Sequence, residues 1–158
     1  MKNLLIILLM LLSSCNSDNN MQETNIEADI GFYLLDSNGN DLLNPNNPNG
    51  IDLDIVRVYE IINGEEVEIN NPNLDGPHGF VLLEPEGIYD KYRLSLGLNI
   101  KEISNPTTTI VKWNTTDIDI FKSEYNRGDN FIICTKIWLN NDIVWKTSDG
   151  VRFIEITK

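Results

Sequence analysis

Histidine, cysteine and basic side chains are all scarce in this sequence, with one His, two Cys and 12 Lys and Arg against 24 Asp and Glu. An imidazole-based zinc site needs more than His78 can supply. A Ser-His-Asp triad would have to recruit that same residue, which sits in Asp75-Gly76-Pro77-His78-Gly79 without a Gly-x-Ser-x-Gly elbow anywhere in the chain. The simplest reading is an exposed loop histidine. The acidic balance leaves no basic stripe to displace counterions from phosphates, which excludes nucleic acid as a partner. It also opposes electrostatic docking on anionic lipid, and implies solubility or weak affinity for cations. Beyond Leu12 no apolar run is long enough to span a bilayer. No later segment keeps a 3.6-residue apolar period for three turns, so no long helix is expected.

What is present begins at the N-terminus. After Met1-Lys2-Asn3, Leu4 to Leu12 is unbroken apolar sequence, about 14 Å of helix at about 1.5 Å per residue. That is half a hydrocarbon core and the size of a signal-peptide h-region. The following Leu12-Ser13-Ser14-Cys15 resembles a lipobox, which implies removal of residues 1–14 and a triacylated Cys15 as the first mature residue. The alternative is an ordinary signal peptide with a cysteine nearby. At about 0.8 kcal/mol per buried CH₂, several chains make an effectively permanent bilayer anchor. Losing Met1 to Ser14 removes one lysine and no acid, which moves the formal charge from −12 to −13. Cys134 then has no partner in the chain, and within Phe131-Ile132-Ile133-Cys134 it reads as a small buried hydrophobe.

Residues 15–27 read as the lipidated cysteine and a polar, flexible tether, too poor in apolar side chains to offset ordering entropy. Ser17-Asp18-Asn19-Asn20 resembles the acidic export signals of Bacteroidetes lipoproteins, although that form usually carries more Asp or Glu. An outer-membrane anchorage follows, with cell-surface and periplasm-facing orientations both open.

Residues 28–158 have the size of one domain with a self-sufficient core. Alternation and β-branched content predict strands at 30–35, 51–62, 66–69, 80–83, 89–98, 107–113, 118–125, 130–139, 142–147 and 151–157. Turn chemistry separates them at Asn38-Gly39, Asn63-Gly64, Glu84-Pro85-Glu86-Gly87, Asn140-Asn141 and Ser148-Asp149-Gly150. The last three strands read as a pair of hairpins. Asn44 to Gly50 must be a loop, since Pro45 and Pro48 cannot both serve a ladder. About eight to ten short strands predict an all-β, antiparallel β-sandwich.

Three sets of side chains could carry chemistry. Asp52/Asp54, Glu66/Glu68 and Asp117/Asp119 each lie two apart in strand-like sequence, so each pair shares a face. At roughly 6–7 Å they fit the 5–9.5 Å needed for glycoside hydrolysis, although the solvated side of a sheet shows the same pattern. Asp36, Asn38, Asn40 and Asp41 gather hard oxygens around a turn, as a calcium loop does. However, Gly39 is misplaced for an EF-hand and no glutamate closes the loop. Trp113, Trp138 and Trp145 could stack on sugar rings or fill the core. Asn114-Thr115-Thr116 matches an N-glycosylation pattern that has no meaning in a bacterial lipoprotein. No cofactor motif is present.

Gly39-Asn40-Asp41-Leu42-Leu43-Asn44-Pro45, the strand from Ile55 to Ile61, Ile110-Val111-Lys112-Trp113-Asn114 with Asp117 and Asp119, and Lys136-Ile137-Trp138-Leu139-Asn140 together resemble small uncharacterised Bacteroidetes lipoproteins. The resemblance covers most of the mature chain. It implies a compact sandwich of immunoglobulin-like or prealbumin-like type and carries over no functional residue. The expected function is that of a non-enzymatic envelope lipoprotein binding glycan or protein. The alternatives are a small carboxylate-dependent glycoside hydrolase and a purely structural envelope component.

Overall fold

The computed structural model describes residues 24–158; the apolar run Leu4 to Leu12, Cys15 and the start of the polar segment lie outside the described residues. The described chain is all-β, with eleven strands and one 3₁₀ turn at Thr147–Asp149. The strands are β1 (Asn25–Glu27), β2 (Asp29–Leu35), β3 (Arg57–Ile62), β4 (Glu65–Glu68), β5 (Phe80–Leu83), β6 (Arg93–Gly97), β7 (Thr107–Lys112), β8 (Ile118–Gly128), β9 (Phe131–Leu139), β10 (Asp142–Lys146) and β11 (Phe153–Thr157). Seven form one sheet in the order β1-β9-β8-β7-β3-β4, with β10 also paired to β9; four form a second sheet, β11-β2-β6-β5.

Both sheets are mixed rather than purely antiparallel. β1 runs parallel to β9, with Asn25 opposite Phe131, and β11 runs parallel to β2, with Phe153 opposite Gly31. The first pairing takes the end of the polar 15–27 segment into the large sheet. The second corrects the expected closing hairpins. Asn140 and Asn141 do close β9–β10, but Ser148-Asp149-Gly150 carries the chain across to the other sheet. Two-residue hairpin turns of type I′ need positive φ at both positions. Asn63 (53°) with Gly64 (86°), and Asn140 (51°) with Asn141 (79°), supply it.

Two expected strands are shorter than predicted. In 51–62 the chain before Arg57 is a turn, because Asp52 Oδ1 accepts the Asp54 amide at 3.0 Å and competes with the ladder. In 89–98 only Arg93–Gly97 pairs, since Tyr89 bonds back to Glu86 in a loop. The segment Asn44 to Gly50 is two successive Asn-Pro-Asn turns. Asn44 Oδ1 takes the Asn46 amide at 2.9 Å and Asn47 Oδ1 takes the Asn49 amide at 3.0 Å.

The core lies between the sheets. Ile30, Phe32 and Leu34 from β2 and Leu94 and Leu96 from β6 meet Val58, Val111, Phe121 and Ile137 from the large sheet. Phe32 stacks on Phe121 at 6.0 Å and meets Trp113 edge-on at 6.2 Å. Each such side chain contributes on the order of 1.5–3 kcal/mol by leaving water. A bulge in β9 decides which residues enter this core. Glu124 pairs with Lys136 and Tyr125 with Cys134, so Thr135 is the extra residue. Cys134 and Ile137 therefore both point inward, and Lys136 and Trp138 both point out.

Candidate functional site, a cleft on the outer face of the small sheet

Along β2, the residues alternating with the core set are Asp29, Gly31 and Tyr33, and this pleat builds the outer face. Across the ladder Gly31 lies between Phe153 and Ser95, and Arg93 on β6 lies opposite Leu83. Gly31 presents no side chain, and a Cβ there would sit 2.9 Å from the Phe153 ring. The loop after β5 returns over this face and lays Tyr89 beside Phe153, ring centroids 5.3 Å apart; Phe153 meets Tyr33 edge-on at 4.8 Å. The result is a cleft of about 430 Å³.

Its walls differ in chemistry. One is aromatic, with the Arg93 guanidinium stacked 4.0 Å above Tyr89 and donating to the Glu84 carbonyl at 3.2 Å. The other is ionic. Arg152 Nη1 donates to the Asp29 carbonyl at 2.9 Å and to Asp29 Oδ1 at 3.3 Å, and Nη2 reaches Glu27 at 3.2 Å. Ser95 Oγ donates to Asp29 Oδ2 at 3.4 Å. Arg152 Nε is buried without a hydrogen-bond partner among the described residues. The Tyr89 and Phe153 rings, tilted 43° to each other, stand beside carboxylates and guanidinium groups, an arrangement that can meet the C–H face of a ring and pair its hydroxyl groups.

The tryptophans lie elsewhere. Trp113 is 1% exposed and Trp145 is 4% exposed, so neither can stack on a ligand. Trp113 Nε1 donates to Asp119 at 2.8 Å, and Trp145 Nε1 donates to the Val151 carbonyl at 3.1 Å. Trp138 is half-buried on the outer face of the large sheet, with Lys136 Nζ 5.1 Å from its ring.

The carboxylate pairs are also engaged. Glu66 and Glu68 share the outer face of β4 and pair with Lys112 at 2.7 Å and Arg57 at 3.5 Å. Asp52 closes its own turn. Asp117 and Asp119 clasp Lys158 at 2.6 and 2.8 Å, and Asp119 also takes the Asn140 amide at 2.8 Å. Burial pushes the Asp119 carboxyl up, but hydrogen bonds from Lys158, Asn140 and Trp113 outweigh it and hold the group below the usual carboxylate range. A carboxyl held ionised in this way is unsuited to proton donation.

In the Asx loop, Asp36 Oδ1 accepts the Asn38 and Asn40 amides, each at 2.8 Å, and Oδ2 takes the Asn40 side chain at 2.7 Å. Hydrogen bonds from Asn40 lead the causes that keep the Asp36 carboxyl below its ordinary range. Asp41 takes the Leu43 and Tyr92 amides, each at 2.9 Å. These oxygens already serve the fold, and no group of three or more His, Cys, Asp or Glu converges among the described residues. His78 is half-buried in its loop rather than exposed, and its Nδ1 has no hydrogen-bond partner among the described residues. Cys15 falls outside the described residues.

Sequence patterning did not single out Gly31, Tyr89, Arg93 or Phe153. The alternation of Asp29, Gly31 and Tyr33 against Ile30, Phe32 and Leu34 was the available signal. No family model, curated protein or solved structure matches the chain.

Proposed function

We propose that this protein is an envelope lipoprotein, anchored to the outer membrane through acylated Cys15, whose sandwich is a non-enzymatic glycan-binding module. The observation that carries the binding reading is the cleft over Gly31. It sets the Tyr89 and Phe153 rings beside Arg93 and the Asp29–Arg152 pair. Sugar rings offer C–H faces to an aromatic wall and paired hydroxyls to carboxylate and guanidinium groups, so each wall has a partner on the same ligand. The leader-like run of Leu4 to Leu12 and Leu12-Ser13-Ser14-Cys15 support the anchor. Two packed sheets joined by crossings support a sandwich of the immunoglobulin-like or prealbumin-like kind.

Binding of the acylated mature protein to an array of neutral, acidic and amino sugars tests this reading. Tyr89→Ala removes one stacking ring, worth about 0.5–1.5 kcal/mol and so roughly three- to tenfold in affinity. Arg93→Gln is expected to weaken binding by a similar factor. An array without any retained glycan, or retention indifferent to both substitutions, would refute the proposal. Turnover of a polysaccharide would move the assignment to the carboxylate-dependent hydrolase, and protease shaving of intact cells separates surface from periplasm-facing display.

A further inference from the structure

We infer that the outer face of the large sheet lies against the bilayer that anchors the chain, which turns the cleft of the small sheet away from the membrane. The inference rests on the anchored-lipoprotein reading and adds an orientation to it. Register places Tyr59, Ile110 and Ile120 in one row across β3, β7 and β8, and Lys122, Trp138 and Ile143 in another across β8, β9 and β10. Ile118, Ile120 and Ile143 are 43%, 38% and 59% exposed. Ile118 and Ile120 alternate along β8, and Ile143 lies across from the half-buried Trp138, so apolar side chains from three neighbouring strands share this face with the lysines.

Charge on this face runs against the rest of the protein. Arg57, Lys112, Lys122, Lys136 and Lys146 share it with Glu66, Glu68 and Glu124, and each of those glutamates is paired to one of the cations. Among the described residues Lys122 reaches only the Asn141 side chain, at 3.0 Å. A surplus of cations on one face of a chain with a formal charge of −12 is therefore a local property. Lysines interleaved with Trp and Ile suit the headgroup boundary, where the stems bury and the ammonium groups meet phosphate.

Chain geometry agrees. The described chain enters at β1, on the edge of this same sheet, where the Asn25 amide bonds to the Asn130 carbonyl at 2.9 Å. Residues 16–24 can reach about 30 Å from Cys15 when extended. From Phe131 to Trp138 the face measures about 23 Å at about 3.3 Å per residue, so the anchor permits the whole face to lie flat.

The test uses the acylated mature protein in vesicles of phosphatidylethanolamine and phosphatidylglycerol. Nitroxide labels are placed by Ile118→Cys, Ile143→Cys and, as a reference on the opposite loop, Ile88→Cys, which is 90% exposed in the wild type. The ratio of oxygen to nickel-chelate collision rates is expected to be about threefold or more higher at 118 and 143 than at 88, as shallow bilayer burial requires. Equal ratios with Cys15 acylated would overturn the orientation and leave the anchor standing. Spin–spin broadening between labels at 143 would assign the face to a second copy instead. Mass spectrometry showing an unmodified Cys15 would remove both readings together.

Discussion

Removing the Asp119 carboxylate should destabilise the fold more than any exposed charge change, and the size can be worked from its partners. Asp119 is 3% exposed and receives the Trp113 indole N–H, the Asn140 amide and the Lys158 ammonium, each at 2.8 Å. In Asp119→Ala the buried indole N–H loses its acceptor at about 1–3 kcal/mol. Asn140 is exposed and can turn to water, while Lys158 keeps Asp117 at 2.6 Å, so these two add less. The expected total is about 2–4 kcal/mol, or a drop of roughly 1–2 M in urea midpoint at an m-value of about 2 kcal/mol/M. Asp117→Ala should cost about 1 kcal/mol or less, in the range of surface pairs. Acid supplies a second arm. The folded Asp119 carboxyl lies below its unfolded value of about 3.9, so its contribution is complete above that pH and fades as pH falls through the folded pKa. The gap between wild type and Asp119→Asn should therefore narrow on acidification below about pH 4. Urea titrations followed by tryptophan fluorescence at several pH values measure both arms. A loss under about 1 kcal/mol for Asp119→Ala, or a gap constant from neutral to acid pH, would refute the reasoning.

Three further outcomes follow from other parts of the fold. Asn99 is fully buried and donates to the Ile61 and Thr108 carbonyls while accepting the Lys101 and Glu102 amides. Asn99→Asp sets an acceptor against those two carbonyls and should cost about 3 kcal/mol or more in urea unfolding; a neutral effect would contradict the assigned amide orientation. Burial pushes the Cys134 thiol up to about 11, so it should resist maleimide at pH 8 in the native protein and react once urea unfolds it. Gly64 holds φ at 86° in the β3–β4 turn with open space around it. Gly64→Ala should therefore cost about 1–2 kcal/mol through backbone strain alone, read as a lowered melting temperature without change in the native circular dichroism.

Local chemistry made part of this fold legible. Asn63-Gly64 and Asn140-Asn141 announced their hairpins because few other residues tolerate positive φ, whereas β8 was marked by the Asn-Thr-Thr-Asp turn before it while its inward face, with Asp119 and Ser123 buried and Ile118 and Ile120 exposed, was not legible. Legibility failed where partners are distant or alternation shifts. Nothing near Phe153 indicates that it pairs in parallel with Gly31, so the last strand looked like the second half of a hairpin. Ile51 to Val56 alternates like a strand, yet the Asp52 side chain diverts its backbone into turns. The bulge at Thr135 separates Cys134 from Trp138, two residues that simple alternation had put on one face. The cleft was hidden for the same reason. Its walls come from β1, β2, β5, β6, β11 and the loop carrying Tyr89, which only long-range registers bring together.

The chain's charge shows how far composition can mislead about contacts. A formal charge of −12 opposes an anionic surface only if the charges are spread evenly, and here they are not. The two-residue period of the pleat and the antiparallel registers bring Arg57 beside Lys112 and Lys122 beside Trp138, while Lys136 lies beside Lys146. Many of the acids lie instead in the turns, where Asp36, Asp41 and Asp52 spend their oxygens on backbone amides. Net charge therefore governs how this protein behaves at distances beyond a Debye length of roughly 8–10 Å. Closer in, each sheet meets its surroundings with its own face: cationic and apolar on the large sheet, aromatic with an embedded ion pair on the small one. Under the proposed anchoring through Cys15, presenting the cleft would need no moving part, because a large sheet laid on the membrane would fix which way the small sheet looks.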